Sequence, residues 1–289
     1  MQLSAFAASI GSDIRFMGVP KTIDNDLFCT DHTPGFGSAA KYIASTMKEI
    51  IRDAKSYASD SVTVVEIMGR NAGWLTASSA VSRAEDCDGP DLIYLPEVVF
   101  DRDAFLEKIK TLKKEKKTVV VAISEGIKTA DGKYVCEANK NTTVVDAFGH
   151  KLLGGTALYL SDFLTDELGI KCRGIVLSSL QRCASHLVSR RDITEAFMAG
   201  ADAVVAALKG ETGKMIVFKR ISDDPYSIVT ESVDIREIAN KEKRVPLEWI
   251  TEDGAYVTAE FDTYARPLII GELSPFMVDG LPRHLFIDK

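Results

Sequence analysis

Residues Val62–Trp74, VTVVEIMGRNAGW, hold the stretch on which the fold reading turns. A nearly unbroken apolar run rich in β-branched side chains predicts a buried strand over Val62–Met68, and the spacing beyond it predicts a helix around Trp74–Ala84. Between the two, Gly69 and Gly73 permit close backbone approach, Arg70 offers a planar fork of donors, and the helix start presents free N–H groups. That set suits a phosphate. A tight strand-to-helix turn with Arg70 paired to a core carboxylate would use the same residues.

The alternation repeats in both directions. Upstream, Leu3, Phe6, Ala7 and Ile10 follow helical spacing, Ile14–Val19 reads as a buried strand, and Gly37–Ala58 places Ile43, Met47, Ile50, Ile51 and Ala54 on one helical face. Downstream follow strand Leu92–Leu95, helix Arg102–Glu115, strand Thr118–Ser124, a hairpin turn at Asp131-Gly132, helix Thr156–Leu168 and strand Gly174–Leu180. Helix Ile193–Leu208, strand Lys214–Lys219 and a strand within Tyr226–Val233 complete the pattern. Strands alternating with helices predict an α/β fold whose mainly parallel sheet is covered on both faces.

At 289 residues the chain sits where one domain commonly divides into two lobes. Hydrophobic content of 46%, charged content of 27% and mean hydropathy near zero are those of an ordinary globular protein. No apolar run reaches the roughly 18 residues of a membrane span, and the start lacks a signal-peptide pattern. Five cysteines without a CxxC pair fit a reducing cytoplasm better than a disulfide framework or structural zinc. A net charge of -7 disfavours nucleic-acid binding but leaves room for small anions held by local geometry. The basic run Lys108–Lys117 reads as solvated charge at a helix C-terminus.

In open α/β sheets ligands collect beyond the carboxyl ends of the strands, and four polar clusters fall at such ends. In PKTIDND, after Val19, Asp24 and Asp26 flank Asn25, so an extended backbone would point both carboxylates to one side, fit for magnesium or for accepting a proton, with Lys21 as compensating cation. An Asx-rich turn that satisfies backbone donors is the other reading. MGRNAG is the second cluster. In the third, Glu125 follows the strand VVVAIS and precedes Gly126, placed either to accept sugar hydroxyls or to cap the next loop. In the fourth, Arg182, His186, Arg190 and Arg191 form either an anion clamp, shared between subunits, or surface charge. His32 and His150 stand alone and read as structural, Trp74 and Trp249 as packing residues, and Asp13 and Glu66 have no partner visible in the sequence.

GVPKTIDND, VVEIMGR, ISEG and LQR, in this order and at these separations, resemble the 6-phosphofructokinases along nearly the whole chain. The resemblance implies two Rossmann-like α/β lobes with fructose 6-phosphate between them: residues 36–191 as the sugar-phosphate lobe, and 1–35 with about 192–289 as the donor lobe. It implies that Asp24 is the base for the sugar 1-hydroxyl, that Thr22 and Ile23 line the transfer site, and that Met68, Gly69 and Arg70 contact the sugar phosphate, Arg70 also lying near the migrating phosphoryl group. Glu125 would hold sugar hydroxyls, and Arg182 would reach the 6-phosphate from a neighbouring subunit, with His186 and Arg190 or Arg191 completing that pocket. Lys21 looks like the pyrophosphate-dependent members, whereas ATP-dependent bacterial ones usually carry glycine there. The implied cofactor is Mg2+, with Asp26 its candidate ligand, and the implied assembly a homo-oligomer in the cytoplasm, working in glycolysis.

Two departures accompany the resemblance. Ser59, Asp60 and Ser61 stand where the family commonly has an arginine used across the subunit interface. The family's opening strand and glycine-rich, aspartate-bearing loop, which cradle the donor, have no counterpart before Gln2. By the resemblance the first lobe is therefore incomplete by on the order of a hundred residues, about three βα units, and the chain by itself is expected to show little kinase activity.

Overall fold

A parallel sheet buried on both faces forms the centre of the molecule, seen in a computed structural model that describes residues 2–57, 59–138 and 154–284. The chain runs through α1 (Gln2–Ser9), β1 (Met17–Gly18), α2 (Phe36–Lys55), β2 (Ser61–Ile67), α3 (Trp74–Ala77), β3 (Leu92–Tyr94), α4 (Arg102–Glu115) and β4 (Thr118–Ser124). It continues through α5 (Thr156–Leu168), β5 (Lys171–Val176), α6 (Arg190–Leu208), β6 (Lys214–Asp223), β7 (Tyr226–Asp234), α7 (Ile235–Ile238), α8 (Ala259–Ala265) and the small hairpin β8 (Met277–Val278) and β9 (Leu281–Pro282). His150 lies outside the described residues.

The central sheet has the order β3-β4-β2-β5, every pairing parallel. Its two faces follow from the pleat. Val65, Ile67, Ile93, Leu95, Val120 and Ala122 pack with α2, α3 and α8, while Val62, Val64, Leu92, Tyr94, Val119, Val121 and Ile123 pack with α4 and α5. Two apolar faces are why these strands read as continuous hydrophobic runs rather than alternating ones. A second sheet, ordered β1-β6-β7, pairs β1 parallel and β7 antiparallel to β6, and α6 packs on it through Ala199, Ala203 and Ala206.

Several expected elements differ in extent. The strand read over Ile14–Val19 shrinks to the two residues of β1, with Ile14 and Val19 exposed, because only Met17 and Gly18 pair with β6. The strand read over Gly174–Leu180 is β5, about three residues earlier, and LSSL turns into a tight helical segment, Ser178–Arg182. The helix after MGRNAG is a single turn continued by another tight segment, Ser78–Ser82. The turn at Asp131-Gly132 is closed by an antiparallel bridge between Lys128 and Tyr134.

Candidate functional site at the strand ends

Because β2, β4 and β5 run parallel, MGR, SEG and LQR emerge side by side. Hydrogen bonding continues past the strands: the Glu125 N–H donates to the Ile67 carbonyl at 3.0 Å and the Leu177 N–H to the Glu66 carbonyl at 3.1 Å. Gly69, at φ 143°, has its N–H directed at Glu125 Oε1, 3.4 Å away, while its carbonyl accepts from the Ser124 hydroxyl at 2.5 Å. Gln181 reaches across with Oε1 to accept the Met68 N–H at 3.1 Å. Glu125 is the electrostatic meeting point: burial pushes its pKa up to about 7, the charges of Glu66 and Asp24 add to this, and the Gly69 N–H and Arg70 oppose it. Residues from two other sequence stretches, Asp24 in one and Glu66, Gly69 and Arg70 in the other, thus act on one carboxyl group.

The PKTIDND loop begins at the end of β1 and returns to β6, where the Asp31 N–H donates to the Phe218 carbonyl at 2.9 Å. Within it, Thr22 Oγ1 donates to Asp24 Oδ2 at 3.1 Å and accepts the Asp24 N–H, also at 3.1 Å, which fixes the carboxylate against its own turn. Asn25 is fully buried at φ 57°. Its left-handed backbone removes the extended geometry from which Asp24 and Asp26 were expected to share a side. The two still interact: burial raises the pKa of Asp26, and the charge of Asp24 raises it further. Lys21 is exposed, with no hydrogen bond or ion pair among the described residues.

Side chains remote in sequence hold these loops. Asp192, in the first turn of α6, accepts N–H groups of Gly35 at 2.7 Å and Ser38 at 3.1 Å, together with the Ser38 hydroxyl, so it caps α2 from outside. Glu66 accepts the N–H groups of Gly155 at 3.2 Å and Ala157 at 2.9 Å, and is the N-terminal anchor of α5. Glu97 accepts the Gly73 N–H at 2.8 Å, at the start of α3. His32 is buried between Asp31 and Glu195, 2.8 Å from each. Burial alone would lower its pKa, but hydrogen bonds and charge from the two carboxylates outweigh that and raise it.

Arg182 and Ile23 line one groove of about 320 Å³, together with Ser38, Tyr42, Gln181 and Ile193. Arg182, His186 and Arg190 are exposed, and Arg190 donates to the Glu272 carbonyl at 3.0 Å. Arg191 instead stacks its guanidinium over Tyr226, 4.5 Å from the ring centroid, with Nε buried and unpaired among the described residues. Trp74 and Trp249 pack edge to face at 6.1 Å. Among the described residues no group of three or more His, Cys, Asp or Glu is placed to hold a metal, and no helix is long and apolar enough to cross a membrane. Gln181 belongs to the LQR motif, and Asp192 completes a capping pattern with Ser189, whose hydroxyl accepts the Asp192 N–H at 3.4 Å. Glu97 carried no sequence signal.

Comparison with known proteins finds one family. The model of the phosphofructokinase family, described as "Phosphofructokinase", matches residues 2–207. The chain is 40% identical over 285 residues to a pyrophosphate--fructose 6-phosphate 1-phosphotransferase of Halomonas elongata, covering 98% of this chain and 67% of that protein. It is 39% identical over 287 residues to the protein of that name from Methylococcus capsulatus, covering 99% of this chain and 67% of that one. The crystal structure of a pyrophosphate-dependent phosphofructokinase from Marinobacter aquaeolei superposes with a TM-score of 0.86 at 34% identity, over 100% of this chain and 70% of that one. The chain spans about two thirds of the length of these relatives.

Proposed function

This chain belongs to the phosphofructokinase family, and on that premise we propose that it forms the acceptor site for phosphorylation of fructose 6-phosphate at the 1-hydroxyl, with pyrophosphate as donor. The observation that carries the reading is the meeting of the MGR and SEG loops at the sheet edge, where the Gly69 N–H faces Glu125 Oε1 at 3.4 Å and the Ser124 hydroxyl donates to the Gly69 carbonyl, with Asp24 and Arg70 near enough for their charges to act on Glu125. In the proposed reaction Asp24 takes the hydroxyl proton as the sugar oxygen bonds to the terminal phosphorus. The bridging P–O bond breaks, and its electron pair leaves with phosphate. Thr22, bonded to Asp24 Oδ2, holds the base in orientation beside Ile23.

Met68, Gly69 and Arg70 contact the sugar phosphate, Glu125 accepts its hydroxyls, and Arg182 takes the 6-phosphate with His186 and Arg190 or Arg191 beside it. Phosphoryl transfer depends chiefly on positioning and charge stabilisation, and pyrophosphate offers no nucleoside to anchor, which gives the exposed cation of Lys21 its part in offsetting donor charge. Hard carboxylate oxygens suit magnesium, which is bound through one or two carboxylates plus substrate phosphates; Asp26 supplies that donor type, and the ion would neutralise charge on the donor.

The central sheet supports residues 36–191 as the sugar-phosphate lobe, and the second sheet supports 1–35 with about 192–289 as part of the donor lobe, although α8 from that last range packs on the central sheet. A homo-oligomer is supported by the outward apolar side chains of α6, Phe197 at 80% and Leu208 at 79% exposure among them. Five free cysteines support a reducing, cytoplasmic setting.

The test is bisphosphate formation from fructose 6-phosphate and Mg2+ with pyrophosphate or with ATP. The chain is assayed alone and mixed with the part of a relative that has no counterpart here. Turnover is expected with pyrophosphate in the mixture, reduced in Lys21→Gly, and small in the chain alone. Turnover with ATP only would overturn the donor assignment. A noncatalytic, regulatory chain is the second reading, and it predicts no turnover in either format.

A further inference from the structure

The segment Glu242–Val245 crosses both loops that carry the acceptor site. Glu242 bridges Leu27, and the Val245 N–H donates at 3.0 Å to Glu97, the carboxylate that also holds Gly73. At its centre the Lys243 N–H donates to the Asp26 carbonyl at 2.7 Å, and the Lys243 carbonyl accepts the Trp74 indole N–H at 2.9 Å. The side chain turns inward. Its ammonium donates to Asn25 Oδ1 at 3.2 Å, to the Thr30 carbonyl at 3.1 Å and to the Asp31 carbonyl at 2.6 Å, and sits 4.8 Å from the centroid of the Trp74 ring.

We propose that Lys243 is a positioning residue: it locks the Asn25-centred turn that sets Asp24 and Asp26, and ties that turn to Trp74, the first helical residue beyond the Arg70 loop. Asn25 is the reason a lock is needed. The left-handed region is uncommon for any residue but glycine, even for asparagine, which tolerates it best, and Asn25 is held there by both ends of its side chain, its Nδ2 donating to Tyr264 at 2.8 Å and its Oδ1 accepting from the Thr33 N–H at 3.1 Å as well as from Lys243. All three ammonium protons go to this loop, and the ring beneath them belongs to the other. Burying an ammonium carries a desolvation penalty, and burial draws the pKa of this one down to about 7 against the charges of Asp31 and Asp26. An apolar side chain would fill the space without that cost, but could not hold three acceptors in register.

The proposal rests on Asp24 and Arg70 as acceptor-site residues, and its test separates the two readings. Amide hydrogen exchange is measured on the ligand-free chain and on Lys243→Met. Exchange is expected to accelerate about tenfold or more in peptides spanning 22–33 and 69–75, the cost of lost hydrogen bonds, with β2 and β4 unchanged. Lys243→Gln, which keeps side-chain donors, is expected to recover part of the protection and part of the fructose 6-phosphate affinity lost in Lys243→Met. Acceleration confined to residues 240–246, or spread evenly through β2 and β4, overturns the proposal. If Lys243→Met does not fold, Trp74→Phe, which deletes the indole N–H and keeps an aromatic ring, decides: faster exchange at 22–33 is expected, and unchanged exchange there overturns it. Failure of the wild-type chain to bind fructose 6-phosphate would count against the acceptor site, while the exchange experiment would still decide the role of Lys243.

Discussion

Gly126→Ala is the smallest change that should open the site. An alanine Cβ at this position would stand 1.9 Å from the Arg70 carbonyl oxygen, 2.5 Å from its carbon and 2.6 Å from the Gly69 oxygen. All three atoms are backbone, so no side chain can rotate away. Unstrained carbon contacts lie near 3.5 Å, and the MGR and SEG loops would have to part by more than about 1 Å. Overpacking of this kind costs about 1–3 kcal/mol of stability, and parting the loops by about 1 Å takes at least one hydrogen bond to a charged group out of reach, a loss of about 1.5–3 kcal/mol. Calorimetric titration with fructose 6-phosphate should therefore show affinity lowered by about two orders of magnitude, some 2.7 kcal/mol, with a melting midpoint lower by several degrees. Gly200→Ala is the control. A Cβ there meets nothing within 4 Å in α6, so it should leave binding unchanged and stability equal or slightly higher. Gly126→Ala protein that binds as tightly and melts as high as the wild type would refute the reasoning.

Three further outcomes follow from the same geometry. Wild-type affinity for fructose 6-phosphate should rise with pH through about 7, where Glu125 becomes a carboxylate able to accept hydroxyls, and the rise should vanish in Glu125→Gln; equal pH profiles for the two proteins would contradict it. Because the folded pKa of Glu125 is raised from its ordinary 4.5, its proton stabilises the fold below that value, and the contribution is lost as pH climbs through about 7, so the wild type should lose stability relative to Glu125→Gln across that window. Asp192→Ala removes the acceptor of two N–H groups and a hydroxyl at the start of α2 and should cost about 2 kcal/mol in denaturant unfolding, with no change expected if the cap is idle.

What the sequence made legible was what short-range physics decides. The α4, β4 and α5 bounds coincide with their expected residues because each is bounded by local chemistry, as where Asp101 accepts the N–H groups of Asp103 and Ala104 at 2.9 Å, or Gly169 closes α5 at φ 64°. β5 was displaced because it is an edge strand of half-exposed residues, so the apolar run that follows it carried the stronger signal. The motif residues were visible as polar clusters at strand ends, and the parallel order of the sheet turns that one-dimensional pattern into proximity. The supporting residues were not visible: Asp192 acts on Gly35, Lys243 on Asn25 and Glu97 on Val245 across separations that no periodicity encodes. Asn25 is the sharpest case, since its φ of 57° follows from distant partners and changes how Asp24 and Asp26 face each other.

The central claim is that three strand-end loops together form a sugar-phosphate site. The most direct measurement is a calorimetric titration of fructose 6-phosphate into the purified chain and into Arg70→Met at one pH and salt concentration. The account predicts saturable binding by the wild type and affinity at least about tenfold lower in the variant, the loss of a charge-assisted phosphate contact. Equal affinity in the two proteins, or no binding by the wild type, would contradict it.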